Sequence, residues 1–126
     1  MYELKVISEF NAAHHLRDYK GECEKLHGHN WRVEAIGVGK ELGKDGLVVD
    51  FRVFKQALEV VLKKLDHCLI NEVKPFDSVN PSSENIAKYI FQILEKSSDL
   101  KGKLKIKAVS VWETSTSCAT YSESNA

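Results

Sequence analysis

The sequence lacks any net charge: 18 lysines and arginines balance 18 aspartates and glutamates. That balance argues against wholesale binding to nucleic acid or to an anionic membrane surface and leaves room only for a local basic pocket. Long apolar runs are missing too, and the uninterrupted stretches that exist are far too short to span a bilayer. The opening residues Met1-Tyr2-Glu3-Leu4-Lys5 have no charged lead followed by an apolar run, so no signal peptide is expected. Cysteine is scarce and odd in number, three in all, which favours reduced thiols in a cytoplasmic protein over a disulfide framework. No internal repeat, linker or low-complexity block interrupts the chain.

What is there is ordinary globular composition, 43% apolar and 29% charged over 126 residues. One domain over residues 1–126 is expected, with a core large enough to need no staple.

Residues 2–14 read as a strand, with Tyr2, Leu4, Val6, Phe10, Ala12 and His14 on one face. A polar stretch follows, then a second strand from His27 to Val38 whose odd positions His29, Trp31, Val33 and Ala35 share a face. Gly39 to Gly46 reads as a turn, with Asp45-Gly46 as the strongest hairpin signal. Asp50 can cap a helix over 51–65, where Phe54, Leu58, Val61 and Leu65 recur at helical spacing. Asn80-Pro81-Ser82-Ser83 starts a second helix, Pro81 suiting its first turn, with a stripe of Ile86, Ile90, Ile93 and Leu94. Strands near 103–113 and 117–122 complete the chain. The third has an unresolved phase, because Leu104 and Ile106 do not share parity with Val109 and Val111. The order strand, strand, helix, helix, strand, strand predicts an α+β fold: a four-stranded antiparallel sheet with two helices on one face.

His27-Gly28-His29 is the most informative segment. Residues two apart in a strand point the same way, so both imidazoles can converge. If the first two strands pair antiparallel, His14 at the end of one lies beside His27 and His29 at the start of the other. Three neutral nitrogen ligands with an open fourth position form a catalytic zinc site. His15 competes with His14, but alternation puts His14 on the apolar face. Cys23, four residues before His27, is open to three readings: an acid–base or nucleophilic thiol, a fourth zinc ligand, or an ordinary cysteine. Asp66 is disfavoured at a helix end, which suggests that it orients His67 as an acid–base group. Glu113 by itself reads as an exposed strand-end carboxylate.

Taken together, five motifs in order resemble the 6-pyruvoyl/6-carboxy-tetrahydropterin synthase family. They are Phe10-Asn11-Ala12-Ala13-His14, Cys23-Glu24-Lys25-Leu26-His27-Gly28-His29, Leu65-Asp66-His67, Pro81-Ser82-Ser83-Glu84-Asn85 and Trp112-Glu113-Thr114. The resemblance implies a T-fold whose subunits form a homo-oligomeric ring, a hexamer, with active sites at subunit interfaces. It implies Zn2+ on His14, His27 and His29, Cys23 as a proton-transferring thiol, and Asp66 with His67 as a second acid–base pair. It also implies that Glu113 anchors the pterin, with Ser82 and Ser83 beside it in the substrate-binding set. The implied substrate is 7,8-dihydroneopterin triphosphate. The implied products are 6-carboxytetrahydropterin, on the branch to queuosine and other deazapurines, with triphosphate and acetaldehyde. Arg17, Lys20 and Lys25 are available to the triphosphate. Ser82 replaces the usual threonine and keeps its hydroxyl, and Cys68 has no role beyond packing. Glu24 also satisfies the E-x-x-H-G-H pattern of a related group that forms 6-hydroxymethyl-dihydropterin for folate synthesis, making it an alternative base. A non-catalytic zinc or pterin-binding module, with Cys23 closing the zinc shell, is the reading from another class.

Overall fold

The first two strands form an unbroken antiparallel ribbon. β1 (Tyr2–His14) pairs with β2 (His27–Gly39) from Tyr2↔Gly39 through Phe10↔Trp31 and Ala12↔His29 to His14↔His27. The computed structural model describes residues 1–22 and 24–123. β3 (Lys105–Thr114) joins the other edge of β2, and β4 (Ser117–Ser122) pairs with β3, giving an antiparallel sheet of order β1-β2-β3-β4. α1 (Phe51–Leu62) packs on β1 and α2 (Ser83–Leu94) on β3 and β4, and the two helices touch each other. This is the expected strand and helix order.

Each helix begins where its cap dictates. Asp50 accepts from the Arg52 amide at 2.8 Å, and Phe54, Ala57, Leu58, Val61 and Leu62 bury the inner stripe of α1. The helix stops at Leu62 rather than at residue 65. Leu65 keeps the helical spacing and is fully buried, but the chain reaching it is a tight turn in which Leu65 N–H donates to Leu62 O. Ser82 caps α2 by accepting from Asn85 N–H at 3.2 Å, so Pro81 lies before the helix and not in its first turn. Asp45-Gly46 forms a turn as expected, with Gly46 at φ +81°, but it leads into α1 and joins no strands.

The unresolved phase of β3 has a structural cause. Ile36 pairs with Ala108 and Gly37 with Ile106, leaving Lys107 as the extra residue of a β-bulge. Burial then switches from even to odd positions: Ile106 and Ala108 are buried, but so are Val109 and Val111. The switch carries Glu113 onto the helix-covered face, at the same end of the sheet as His14 and His29. Opposite the bulge, a Cβ on Gly37 would stand 2.5–2.9 Å from three side-chain carbons of Leu104, so only glycine leaves room for that residue.

The core between sheet and helices includes Phe10, Trp31, Val33, Phe54, Leu58, Ile86, Ile90 and Val111. Each such side chain contributes about 1.5–3 kcal/mol by leaving water. Phe10 and Trp31 stack across the β1–β2 ribbon, and Trp31 Nε1 donates to Ala12 O at 3.1 Å. Among the described residues no helix is long and apolar enough to cross a membrane.

Candidate metal centre

His14, His27 and His29 meet at one end of the β1–β2 ribbon because of register and parity. His14 faces inward with Phe10 and Ala12, and His27 and His29 face inward with Trp31. The ring centroids lie 4.7 Å apart for His14–His27, 4.8 Å for His27–His29 and 5.4 Å for His14–His29. Trp31 is the floor, with its ring edge-on to His14 at 4.8 Å and to His29 at 5.2 Å. With Glu113, each residue offers one ligand atom, and these atoms all lie within 4.8 Å of one another.

The donor set fits a divalent metal. His14 Nδ1 donates to Pro81 O at 2.7 Å and His27 Nδ1 to Lys25 O at 2.8 Å. A carbonyl can only accept, so each Nδ1 carries the proton and each Nε2 keeps its lone pair for the cluster. Burial holds His14 below the ordinary histidine pKa, overriding the raising effects of the Pro81 carbonyl and Glu113. His14 Nε2 is buried without a hydrogen-bond partner, and His29 Nε2 is buried with only the Glu113 carboxylate near it, a cost that a bound cation would remove. Glu113 Oε1 stands 3.0 Å from His29 Nε2 and 4.0 Å from His14 Nε2, and Ser83 Oγ donates to Glu113 Oε2 at 3.3 Å. The position read from sequence as open therefore has a carboxylate beside it.

The remaining predicted residues are distributed around this centre. His15 stays outside the cluster, its main chain bonded to Asn71. Glu24 Oε1 stands 3.8 Å from His27 Nε2 and accepts from Leu16 N–H at 3.2 Å. Cys23 lies outside the described residues. Asp66 and His67 sit on the outer edge of β1: Asp66 Oδ1 accepts from Asn11 N–H at 2.9 Å, and His67 N–H donates to Asn11 O at 2.6 Å. His67 Nδ1 stands 2.9 Å from Asp66 Oδ2. The Asn11 amide, and secondarily His67, hold the Asp66 carboxyl below the usual carboxylate range. The His67 side chain is 76% exposed and His67 adopts φ +57°; the pair is formed but lies outside the cluster. Ser82 Oγ is engaged as the α2 cap, and the Arg17 guanidinium donates to Phe76 O, Asn71 O and Val79 O. Lys20 and Lys25 are exposed.

A cleft of about 650 Å³ opens beside the cluster, lined by His29, Glu113, Asn30, Arg32, Trp112 and Thr114 among others. That volume suits a small heterocyclic ligand. A larger groove of about 1040 Å³ lies at the other end of the sheet and is lined by no histidine or cysteine. The histidine cluster borders the smaller cleft.

Sequence reasoning missed three parts of the centre. Trp31 was legible as core but not as the floor, although its odd position next to His29 is the signal. Main-chain acceptors at Lys25 and Pro81 leave no trace in residue identity. Glu113 as a neighbour of the imidazoles depends on the bulge at Lys107.

The chain is 38% identical to the 6-carboxy-5,6,7,8-tetrahydropterin synthase of Synechocystis sp., across 89% of this chain and 86% of that protein. It is 37% identical to the dihydroneopterin monophosphate aldolase of Pyrococcus furiosus, across 84% of each. The solved 6-pyruvoyl tetrahydropterin synthase of Caenorhabditis elegans superimposes with TM-score 0.82 at 25% identity, covering 98% of this chain and 96% of that one. A family model described as 6-pyruvoyl tetrahydropterin synthase matches residues 3–124, so the predicted T-fold stands and this chain belongs to that family.

Proposed function

We propose that the chain is a zinc-dependent carbon–carbon lyase that converts 7,8-dihydroneopterin triphosphate to 6-carboxy-5,6,7,8-tetrahydropterin, releasing triphosphate and acetaldehyde. The observation that carries this reading is the convergence of three imidazole Nε2 positions and one carboxylate beside a ligand-sized cleft. The name of the Synechocystis relative supports the choice of product.

In this reading His14, His27 and His29 hold Zn2+, which supplies Lewis-acid stabilisation of negative charge on the substrate's side-chain oxygens. The Pro81 and Lys25 carbonyls keep His14 and His27 in the tautomer that presents Nε2. Glu113 accepts from the pterin ring amino and N–H groups, a planar pair of donors suited to a carboxylate. Ser83 steadies Glu113 from the start of α2, and Ser82 serves mainly as the helix cap. Cys23 moves the proton on one side of the substrate carbon. On the other side acts His67, its ring oriented by Asp66. The exposure of His67 at the β1 edge leaves room for a second copy in a homo-oligomer to complete the site, and the hexamer is what the family resemblance implies.

Incubation of the zinc-loaded protein with 7,8-dihydroneopterin triphosphate tests the proposal. Acetaldehyde, triphosphate and a product with the mass of 6-carboxytetrahydropterin are expected. Absence of acetaldehyde would overturn the assignment.

A second reading rests on Glu24, whose Oε1 stands 3.8 Å from His27 Nε2, and on the aldolase name of the Pyrococcus relative. In it Glu24 is the base for cleavage to 6-hydroxymethyl-dihydropterin, and the product mass separates the two.

A further inference from the structure

Asn80 is bound at both ends. Its Oδ1 accepts from Arg17 N–H at 2.8 Å and its Nδ2 donates to Arg17 O at 2.9 Å, so the side chain pairs with both main-chain groups of that residue. Its own carbonyl accepts from Asn85 Nδ2 at 2.9 Å, tying it to the first turn of α2. The next carbonyl along the chain, Pro81 O, takes the Nδ1 proton of His14 at 2.7 Å. Pro81 is buried and its ring fixes φ, so the direction of this carbonyl rests on ψ and on the neighbours that hold the segment on either side. On the far side of the clamp, Leu16 exchanges hydrogen bonds with Glu24: Glu24 N–H donates to Leu16 O at 2.9 Å, and Leu16 N–H to Glu24 Oε1 at 3.2 Å. Asn80 thus links the acceptor that sets the His14 tautomer to the segment that carries Glu24.

We propose that Asn80 is a positioning residue for the metal centre, holding the Pro81 carbonyl where it keeps the His14 proton on Nδ1 and aims Nε2 at the metal. The inference rests on the reading that the cluster binds a divalent metal. A matched control is built into the same fold. Asn71 makes the same reciprocal pair of bonds with His15, at 3.0 and 2.9 Å, and is more deeply buried. His14 and His27, however, donate to Pro81 and Lys25, not to the Asn71 segment.

The experiment measures zinc affinity by chelator competition and the visible absorption of the Co2+-loaded protein, with Tm recorded for wild type, Asn80→Ala and Asn71→Ala. Asn80→Ala is expected to lose about 10–100-fold in zinc affinity, as removal of outer-shell support does, and to change the Co2+ spectrum. Asn71→Ala is expected to lower Tm at least as far and to leave affinity and spectrum as in wild type. Wild-type affinity and spectrum in Asn80→Ala, or equal metal loss in Asn71→Ala, would overturn the positioning role. Should Asn80→Ala not fold, Asn80→Asp, which keeps the acceptor for Arg17 N–H and loses the donor, is read by the same two outcomes. A wild-type protein that binds neither Zn2+ nor Co2+ would instead overturn the metal reading, and this inference with it.

Discussion

His29 Nε2 and Glu113 Oε1 stand 3.0 Å apart, on neighbouring strands of one sheet. The Lys107 bulge reverses the parity of β3 before it reaches Glu113, and Glu113 is itself the extra residue of a second register shift, against β4. Had the alternation of Leu104 and Ile106 continued, Trp112 would face the imidazoles and the carboxylate would face away.

Replacing this carboxylate separates its two possible services, to substrate and to metal. Glu113→Gln turns one acceptor into a donor facing the pterin donors. The loss of a charge-assisted hydrogen bond, about 1.5–3 kcal/mol, predicts about tenfold weaker pterin binding or more, with zinc content unchanged. Calorimetry with a pterin ligand, alongside metal analysis, checks both halves. Undiminished pterin affinity would remove Glu113 from the substrate site.

The three histidines differ from His15 in a way that metal analysis can read. His27→Ala and His29→Ala should lose bound zinc and activity while Tm of the metal-free protein stays near wild type, since both side chains are only partly buried. His15→Ala should retain the metal, because its main chain, not its ring, makes the bonds to Asn71. Full zinc retention by His29→Ala would sink the assignment.

Asp66 predicts a particular dependence of stability on pH. Its carboxyl is held below the ordinary range, chiefly by the Asn11 amide, with desolvation opposing and His67 adding to the lowering. A carboxyl with a depressed folded pKa stabilises the fold above its unfolded value, and that stabilisation is lost as pH falls through the folded value. Asp66→Asn keeps an acceptor for Asn11 but cannot ionise. The Tm gap between wild type and variant should therefore be widest near neutrality and close below about pH 4. A gap that stays constant into acid would show that the charge contributes nothing to stability.

The ribbon and its histidines were legible because alternation and antiparallel pairing are local rules: parity alone put His14, His29 and Trp31 on one face. Asp50 likewise announced α1 by cap chemistry, although Leu65 at helical spacing extended the reading past its end, and the Asn80-Pro81-Ser82-Ser83 run announced α2 without showing that Ser82 is the cap. Glu113 was out of reach for a different reason. Its surroundings depend on two irregularities in β3, the bulge at Lys107 and a second register shift at Glu113 itself, and only the first shows in sequence, as the clash of parity between Ile106 and Val109. The carbonyls of Lys25 and Pro81 were unreadable because every residue has one, and only the tertiary fold selects those that matter.

The adjacent pair Cys23 and Glu24 carries the sharpest test of the reaction. Glu24 is tied to Leu16 through both its main chain and its carboxylate, which leaves Oε1 3.8 Å from His27 Nε2 and already bonded. The Leu16 amide takes one acceptor site of Oε1, and the carboxylate keeps its other sites for a proton from substrate. If Cys23 performs the main proton transfer, Cys23→Ala should lower 6-carboxytetrahydropterin formation by about 10²–10⁴-fold, the usual contribution of a general acid–base group. Glu24→Ala should then change that rate little. If the chain instead follows the aldolase reading, Cys23→Ala should leave 6-hydroxymethyl-dihydropterin formation intact and Glu24→Ala should abolish it. Product mass for both variants, with zinc loading checked in each, distinguishes the two cases. Undiminished 6-carboxytetrahydropterin output from zinc-loaded Cys23→Ala would refute the thiol as the proton carrier and leave Glu24, beside His27, as the alternative base.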